Sequence, residues 1–251
     1  MKLGIFVTLG LLLLLALSPT GVSSLGSGKV VLALLDLSES TNTTDIRSKY
    51  LQAFSAILDQ TTHGDTFVVA LITEKSVAEL SIPVREIFPE FVSKYEMEPY
   101  RTAERDLANN KLNDRKKALL HEAEALLQDK SRRILRTDIM SSLQVAERIF
   151  ASYLLPRKML VILSDMLEDS ADYNLEREVL SSSRADAILA REKARDRIPV
   201  LKNVKVYVVG AAAPNLDQYY NVQHFWLRYF MECGATLLKK DYGSALLTFD
   251  E

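Results

Sequence analysis

Short, unbroken apolar runs alternate along this chain with amphipathic stretches, the pattern of a parallel sheet covered by helices. Residues 30–35 are apolar at every position, which predicts a strand buried on both faces. Residues 44–59 carry Ile46, Tyr50, Ala53, Phe54 and Ile57 on one helical stripe. His63-Gly64-Asp65 predicts a turn and 66–73 the next strand; 77–84 predicts a short edge strand, because Pro83 is tolerated best at an edge. Residues 138–153 predict a helix with Ile139, Leu143, Ala146, Ile149 and Phe150 in phase. Strands follow at 158–164 and 204–210, and a helix at 217–231. Residues 235–238 and 246–249 are weaker candidates for a last strand. The fold class expected is α/β: a doubly wound, mostly parallel sheet of about six strands with one antiparallel edge, flanked by helices.

Two segments, 85–136 and 167–197, are dominated by charge and carry only a sparse apolar stripe. Leu107, Leu112, Leu119, Leu120, Ala123, Leu126 and Leu127 form it in the first, and Leu175, Val179, Ala187, Ile188 and Ala194 in the second. Such segments read as solvated helices covering the sheet, with a partner-binding surface as the alternative. Residues 5–17 are almost wholly apolar after Met1-Lys2, and Val22-Ser23-Ser24 offers small residues for cleavage. That run is shorter than the roughly 20 residues that span a bilayer. Residues 1–24 therefore read as a secretory signal peptide, with an uncleaved anchor as the alternative, and 25–251 as the working domain. The expected location is extracytoplasmic: periplasmic or secreted.

Composition narrows the partner. A formal net charge of -2 with interspersed signs argues against nucleic acid, which calls for a clustered basic surface. Cys233 is the single cysteine, so no intramolecular disulfide forms; in its apolar context it reads as a small buried hydrophobe.

The chemistry is concentrated in Asp36-Leu37-Ser38-Glu39-Ser40, at the end of the first predicted strand. An aspartate and two hydroxyls, spaced by two, project to one side of extended backbone. They offer only hard oxygen donors, which suit Mg²⁺, Mn²⁺ or Ca²⁺. Thr137-Asp138 stands before a helix, and Ser164-Asp165 ends another predicted strand. Strand C-termini of an open parallel sheet share one edge, so Asp36, Ser38, Ser40, Thr137 and Asp165 can converge there. Taken singly, each has a structural reading. Ser38, Ser40 and Thr137 can cap helices, and Asp165 can serve backbone N–H groups in a loop.

These loops resemble the metal-ion-dependent adhesion site of the von Willebrand factor type A (vWA, integrin I-like) domain, a Rossmann-like fold. Its pattern is an Asp-x-Ser-x-Ser loop, a threonine on a second loop and an aspartate on a third; Asp36-Leu37-Ser38-Glu39-Ser40, Thr137 and Asp165 match in order. The resemblance covers essentially all of residues 29 to 249. It implies that Ser38, Ser40 and Thr137 bind the metal directly, with Asp36 and Asp165 acting directly or through water. The chain departs from the pattern at Met166 and Arg136, where the family commonly has glycine, and the segment before Thr137 is unusually long.

The function implied is divalent-cation-dependent protein binding, with an Asp or Glu of the partner completing the coordination. Membrane contact would come only from an uncleaved anchor. A metal-free scaffold and a metal-dependent phosphoesterase are the alternatives. For the latter, Ser38 stands where an aspartate phosphatase needs its second acid, and no base or nucleophile is evident; the chain is not expected to be an enzyme. His121-Glu122 lacks the second histidine of a zinc motif, since Ala125 stands there, and His63, His121 and His224 read as solvated or packing side chains. No glycine-rich phosphate loop or Gly-x-Ser-x-Gly elbow is present. Tyr219, Tyr220, Phe225, Trp226, Tyr229 and Phe230 read as core packing, with a partner patch as the alternative.

Overall fold

Strand β1 (Lys29–Asp36) is buried at every position, as its two-sided apolar pattern requires. It lies at the centre of a six-stranded sheet with β2 (Thr66–Ile72), β3 (Val84–Ile87), β4 (Arg157–Leu163), β5 (Val204–Val209) and β6 (Thr236–Gly243). The order is β3-β2-β1-β4-β5-β6, and β3 alone is antiparallel. The computed structural model describes residues 28–74, 76–77, 81–129, 134, 136–245 and 249. The apolar N-terminal run and the candidate strand positions 246–248 lie outside them. Among the described residues no helix is long and apolar enough to cross a membrane.

Helices cover both faces. Even-numbered side chains of β1 (Val30, Leu32, Leu34) pack with α3 (Ile139–Ala151), α4 (Ser182–Ala194) and α5 (Leu216–Glu232). Odd-numbered ones (Val31, Ala33, Leu35) pack with α1 (Thr44–Asp59) and α2 (Tyr100–Gln128). Alternation along the strand thus divides the core into two layers. Burying each such Val or Leu stabilises the fold by about 1.5–3 kcal/mol before conformational entropy is counted.

Two strands differ from expectation. The edge strand runs from Val84 to Ile87, beyond the expected 77–84, of which 78–80 lie outside the described residues. Before Pro83, which has no N–H for the ladder, the contact with β2 continues as the bond from the Leu71 N–H to the Ser81 carbonyl at 3.0 Å. Strand β6 runs on to Gly243 through Lys239, Lys240 and Asp241, a polar stretch that hid it. There the register slips between Val206 and Val208, and β6 accommodates its charges in the irregularity of a sheet edge. Residue 249, expected in a strand, lies in none, although Phe249 is buried against Tyr207.

The first charged segment contains β3 as well as the 29-residue α2, which is buried only at Leu119, Ala123 and Leu127. Its N-terminal half is solvated, and Leu107 is exposed. Of the aromatic group, Phe225, Trp226, Tyr229 and Phe230 are core side chains, whereas Tyr220 is exposed. Cys233 is buried, and burial pushes its thiol up to about 12.

Asp65 ties the starts of two central strands together. It is wholly buried; Oδ1 accepts the Lys29 N–H at 2.8 Å and Oδ2 the Thr62 N–H at 2.8 Å. Asp65→Ala leaves both donors unsatisfied and is expected to cost about 3 kcal/mol. A urea melt checks this: the midpoint falls while the slope stays unchanged.

Candidate functional site

In this sheet the chain winds outward from β1 to β2 and β3, then returns to β4 on the other side of β1. The connections leaving β1 and β4 therefore diverge, opening a crevice at their C-terminal ends, where ligands bind in doubly wound sheets. Asp36 is the last residue of β1, and Ser164-Asp165 follow β4 directly.

The β1 loop is built around Asp36. Its Oδ1 accepts the Ser38 N–H at 2.8 Å, and its Oδ2 accepts the Ser164 hydroxyl at 2.8 Å. The second bond crosses from one strand end to the other. Thr41 Oγ1 lies 3.1 Å from both the Asp36 and Ser38 carbonyl oxygens and donates to them, closing the loop. The Ser38 and Ser40 hydroxyls are 3.1 Å apart, and the Ser40 hydroxyl is near enough to favour the ionised Asp165 carboxyl. Asp36, Ser38 and Ser40 are thus joined by direct hydrogen bonds, and Asp165 adjoins them through Ser164, its chain neighbour. Thr137 is joined through backbone: its carbonyl accepts the Asp169 N–H at 2.9 Å, and nearby Ile134 bridges to Ser38.

The capping alternatives do not hold. Thr43 caps α1, accepting the Ile46 N–H at 3.3 Å, so neither Ser38 nor Ser40 does. Asp138 caps α3, accepting the Ser141 N–H at 2.9 Å, so Thr137 does not. Asp165 does serve its loop, its Oδ1 accepting the Leu167 N–H at 2.9 Å. That bond uses one of the lone pairs of the carboxylate.

The electrostatics are those of two like charges withheld from water. Asp36 is 0 % exposed and Asp165 4 %. Burial raises the Asp165 carboxyl to about 6, and the neighbouring Asp36 charge adds to the rise. Burial also raises Asp36, opposed by hydrogen bonds from Ser38 and Ser164. Neither has an ion-pair partner among the described residues. Tyr50, from α1, is buried with no hydrogen-bond partner for its hydroxyl, whose ionisation burial and then the charges of Asp36 and Asp165 oppose. Glu176 is exposed, yet its charge reaches both aspartates from the outer side.

Among the described residues no three His, Cys, Asp or Glu side chains cluster to suit a metal. The donors brought together here are two carboxylates with the hydroxyls of Ser38 and Ser40, and Thr137 is buried on the neighbouring loop. Among the described residues that oxygen-only set has no paired cationic side chain, and its chemistry would suit a hard divalent cation. Ser164, Thr41, Tyr50 and Glu176 belong to the same neighbourhood and were not singled out from sequence. Ser164 was within sight, beside Asp165, but only the packing of β4 on β1 turns its hydroxyl to Asp36.

Met166 has φ +69°, a left-handed conformation that costs a side-chain-bearing residue about 1–2 kcal/mol. This is where the resembling pattern has glycine, and the structure shows why glycine is favoured. Met166 is held by its neighbours instead: its N–H donates to Ser164 Oγ at 3.0 Å, and its carbonyl accepts the Trp226 indole N–H at 2.9 Å. Its side chain is wholly buried.

No protein-family model and no curated protein matches the chain. Among solved structures it is similar to VWA2, the ArnB paralog from Sulfolobus acidocaldarius, at 13% identity and TM-score 0.37, covering 73% of this chain and 34% of that one. It is also similar to a von Willebrand factor type A protein from Catenulispora acidiphila, at 13% identity and TM-score 0.37, covering 83% and 43%. A third is an aerotolerance-related membrane protein from Bacteroides fragilis, at 15% identity and TM-score 0.31, covering 74% and 69%. The chain thus spans less than half the length of the first two. At these scores the likeness carries no argument about activity, and the fold class rests on strand order and pairing.

Gly210 ends β5 beside the crevice with φ +99°, and a Cβ there would lie 2.7 Å from Tyr50 Cε1 and 3.2 Å from the Ser164 carbonyl oxygen. Gly210→Ala is expected to destabilise by about 2 kcal/mol, from backbone strain and displaced Tyr50. Thermal unfolding beside wild type measures it.

Proposed function

We propose that this chain is a divalent-cation-dependent protein-binding domain that works outside the cytoplasm. The observation that carries the reading is the pair Asp36 and Asp165, buried close together at the switch point among hydroxyls, with no cationic side chain among the described residues paired to either. Like charges in such a place call for a positive partner. Asp36, Ser38, Ser40, Thr137 and Asp165 would hold Mg²⁺, or Mn²⁺ or Ca²⁺ in its place. When bound, the cation supplies an electrophilic centre that a carboxylate of the partner protein can reach.

The chain's own residues define that centre. Two carboxylates neutralise a divalent charge, and neutral hydroxyls donate little further electron density, so attraction for an incoming Asp or Glu is retained. Ser164 and the Ser38 N–H hold Asp36 in place. Glu176 and Arg177, both exposed on the loop after β4, stand at the outer rim, where they can influence which partner approaches. Export rests on the sequence of residues 1–24. The domain extent is taken as 25–251, with segments 85–136 and 167–197 shaping the surface around the fold.

Asp36→Ala and Thr137→Ala are expected to abolish Mg²⁺ and Mn²⁺ binding in isothermal titration while near-ultraviolet dichroism stays native. Trp226 is the single tryptophan and holds the Met166 carbonyl beside Asp165, so its emission should change on cation addition to wild type and stay constant in the variants. Titration of wild type without heat and without an emission change refutes the cation reading and leaves the metal-free scaffold.

A pH comparison gives a second check. The Asp165 carboxyl titrates at about 6 when folded against 3.8 ordinarily, so between these values the folded chain binds more protons than the unfolded one. Its contribution to stability is therefore present at low pH and lost as pH rises through that window. Without cation, Asp165→Asn should gain stability relative to wild type between pH 4 and pH 7, as measured by denaturant midpoints. Excess Mg²⁺ should narrow the gap at pH 7.

A further inference from the structure

We infer that Glu168 is a positioning residue that locks the Thr137 loop onto the Asp165 turn; its bearing on cation affinity rests on the reading above. Thr137 precedes α3 and belongs to no strand or helix, so its placement depends on tertiary bonds. Glu168 supplies two of them from another loop. It is wholly buried, and its Oε2 accepts the N–H groups of Ile139 at 2.8 Å and Met140 at 3.2 Å, the first two residues of α3. These donors have no partner within their own helix, and a carboxylate at a helix N-terminus is favoured by the dipole. Asp138 takes the next one, Ser141. The α3 terminus is therefore divided between its own cap and a side chain three residues beyond Asp165.

The Asp165 turn is rigid enough to transmit this hold. Asp165 Oδ1 accepts the Leu167 N–H, Trp226 fixes Met166, and the Glu168 carbonyl accepts the Leu175 N–H at 2.7 Å. The next residue, Asp169, donates its N–H to the Thr137 carbonyl. Thr137 is thus gripped on both sides by the segment that carries Asp165. Burying a carboxylate is costly, and burial together with the charge of Asp138 raises its carboxyl well above the ordinary range. One buried oxygen that accepts two successive backbone N–H groups fixes both distance and direction in either protonation state, which suits a part that sets geometry.

The test uses the full chain with Glu168→Ala, Glu168→Gln and Glu168→Asp. Amide hydrogen exchange without cation reads the lock itself. Glu168→Ala should speed exchange at Ile139, Met140 and Asp169 together, whereas Glu168→Gln, whose amide oxygen can accept the same N–H groups, should stay near wild type. Mn²⁺ titration reads the consequence: a loss of at least about tenfold in affinity for alanine, with glutamine within about threefold. Glu168→Asp keeps the charge but loses reach; it should behave like alanine and serves in its place if alanine does not fold. Unchanged Asp169 exchange in folded Glu168→Ala or Glu168→Asp overturns the lock, and so does wild-type Mn²⁺ affinity in either. If wild type takes up no Mn²⁺ while the three amides still respond together, the cation reading fails and the lock stands.

Discussion

Strands β1 and β4 run side by side in register, Leu35 against Leu163, and each delivers a carboxylate to the same rim. Sheet pairing alone sets that proximity, and burial between helical layers strips both groups of water. Hydrogen bonding then decides what the proximity becomes. Ser164 spans the gap to Asp36 Oδ2, Ser38 and Thr41 close the β1 loop, and Leu167 donates its N–H to Asp165. Each donor offsets part of the desolvation of a buried acid, yet none carries a positive charge. Among the described residues the rim is consequently a polar cage whose two acids have no cationic partner, with the buried Tyr50 hydroxyl and the exposed Glu176 within reach of their charges.

The turn after β4 joins this rim to the rest of the molecule. Met166 adopts a left-handed backbone despite its side chain, and the bonds from Trp226 and to Ser164 hold it there. Trp226 lies on α5 within an aromatic core, its ring 5.4 Å from that of Tyr229 and 5.1 Å from that of Phe225. Packing of the lower core is thus coupled to the backbone beside Asp165. Local strain of about 1–2 kcal/mol is compatible with a stable domain when well-packed neighbours over-determine the geometry.

Individual elements show where periodicity suffices and where it does not. Helix α1 spans Thr44–Asp59, the expected range, because its apolar stripe, Thr43 cap and flanking turn all agree. Strand β6 extends past its apolar run because an edge strand with a register slip tolerates charges, here Lys239 and Lys240, that a central strand does not. Pro83 marks an edge strand correctly in kind but not in place: the regular ladder starts just after it, at Val84, while Ser81 before it still accepts the Leu71 N–H. The stripe of α2 overstated burial, as the N-terminal half of that helix extends past the layer it covers.

From sequence alone came the doubly wound sheet and the oxygen-bearing loops, because strand and helix periods and the Asp-x-Ser-x-Ser spacing are local properties of the chain. Whether Ser38, Ser40 and Thr137 cap helices or face a common crevice was open at that level, since a hydroxyl before a helix reads alike in both roles. The tertiary structure gives the caps to Thr43 and Asp138, which removes the capping role from Ser38, Ser40 and Thr137. It also brought in Ser164, Tyr50, Glu168 and the left-handed Met166. Their parts depend on which strand lies beside β1 and on which loop meets the start of α3, relations between residues far apart in the chain that no local pattern encodes.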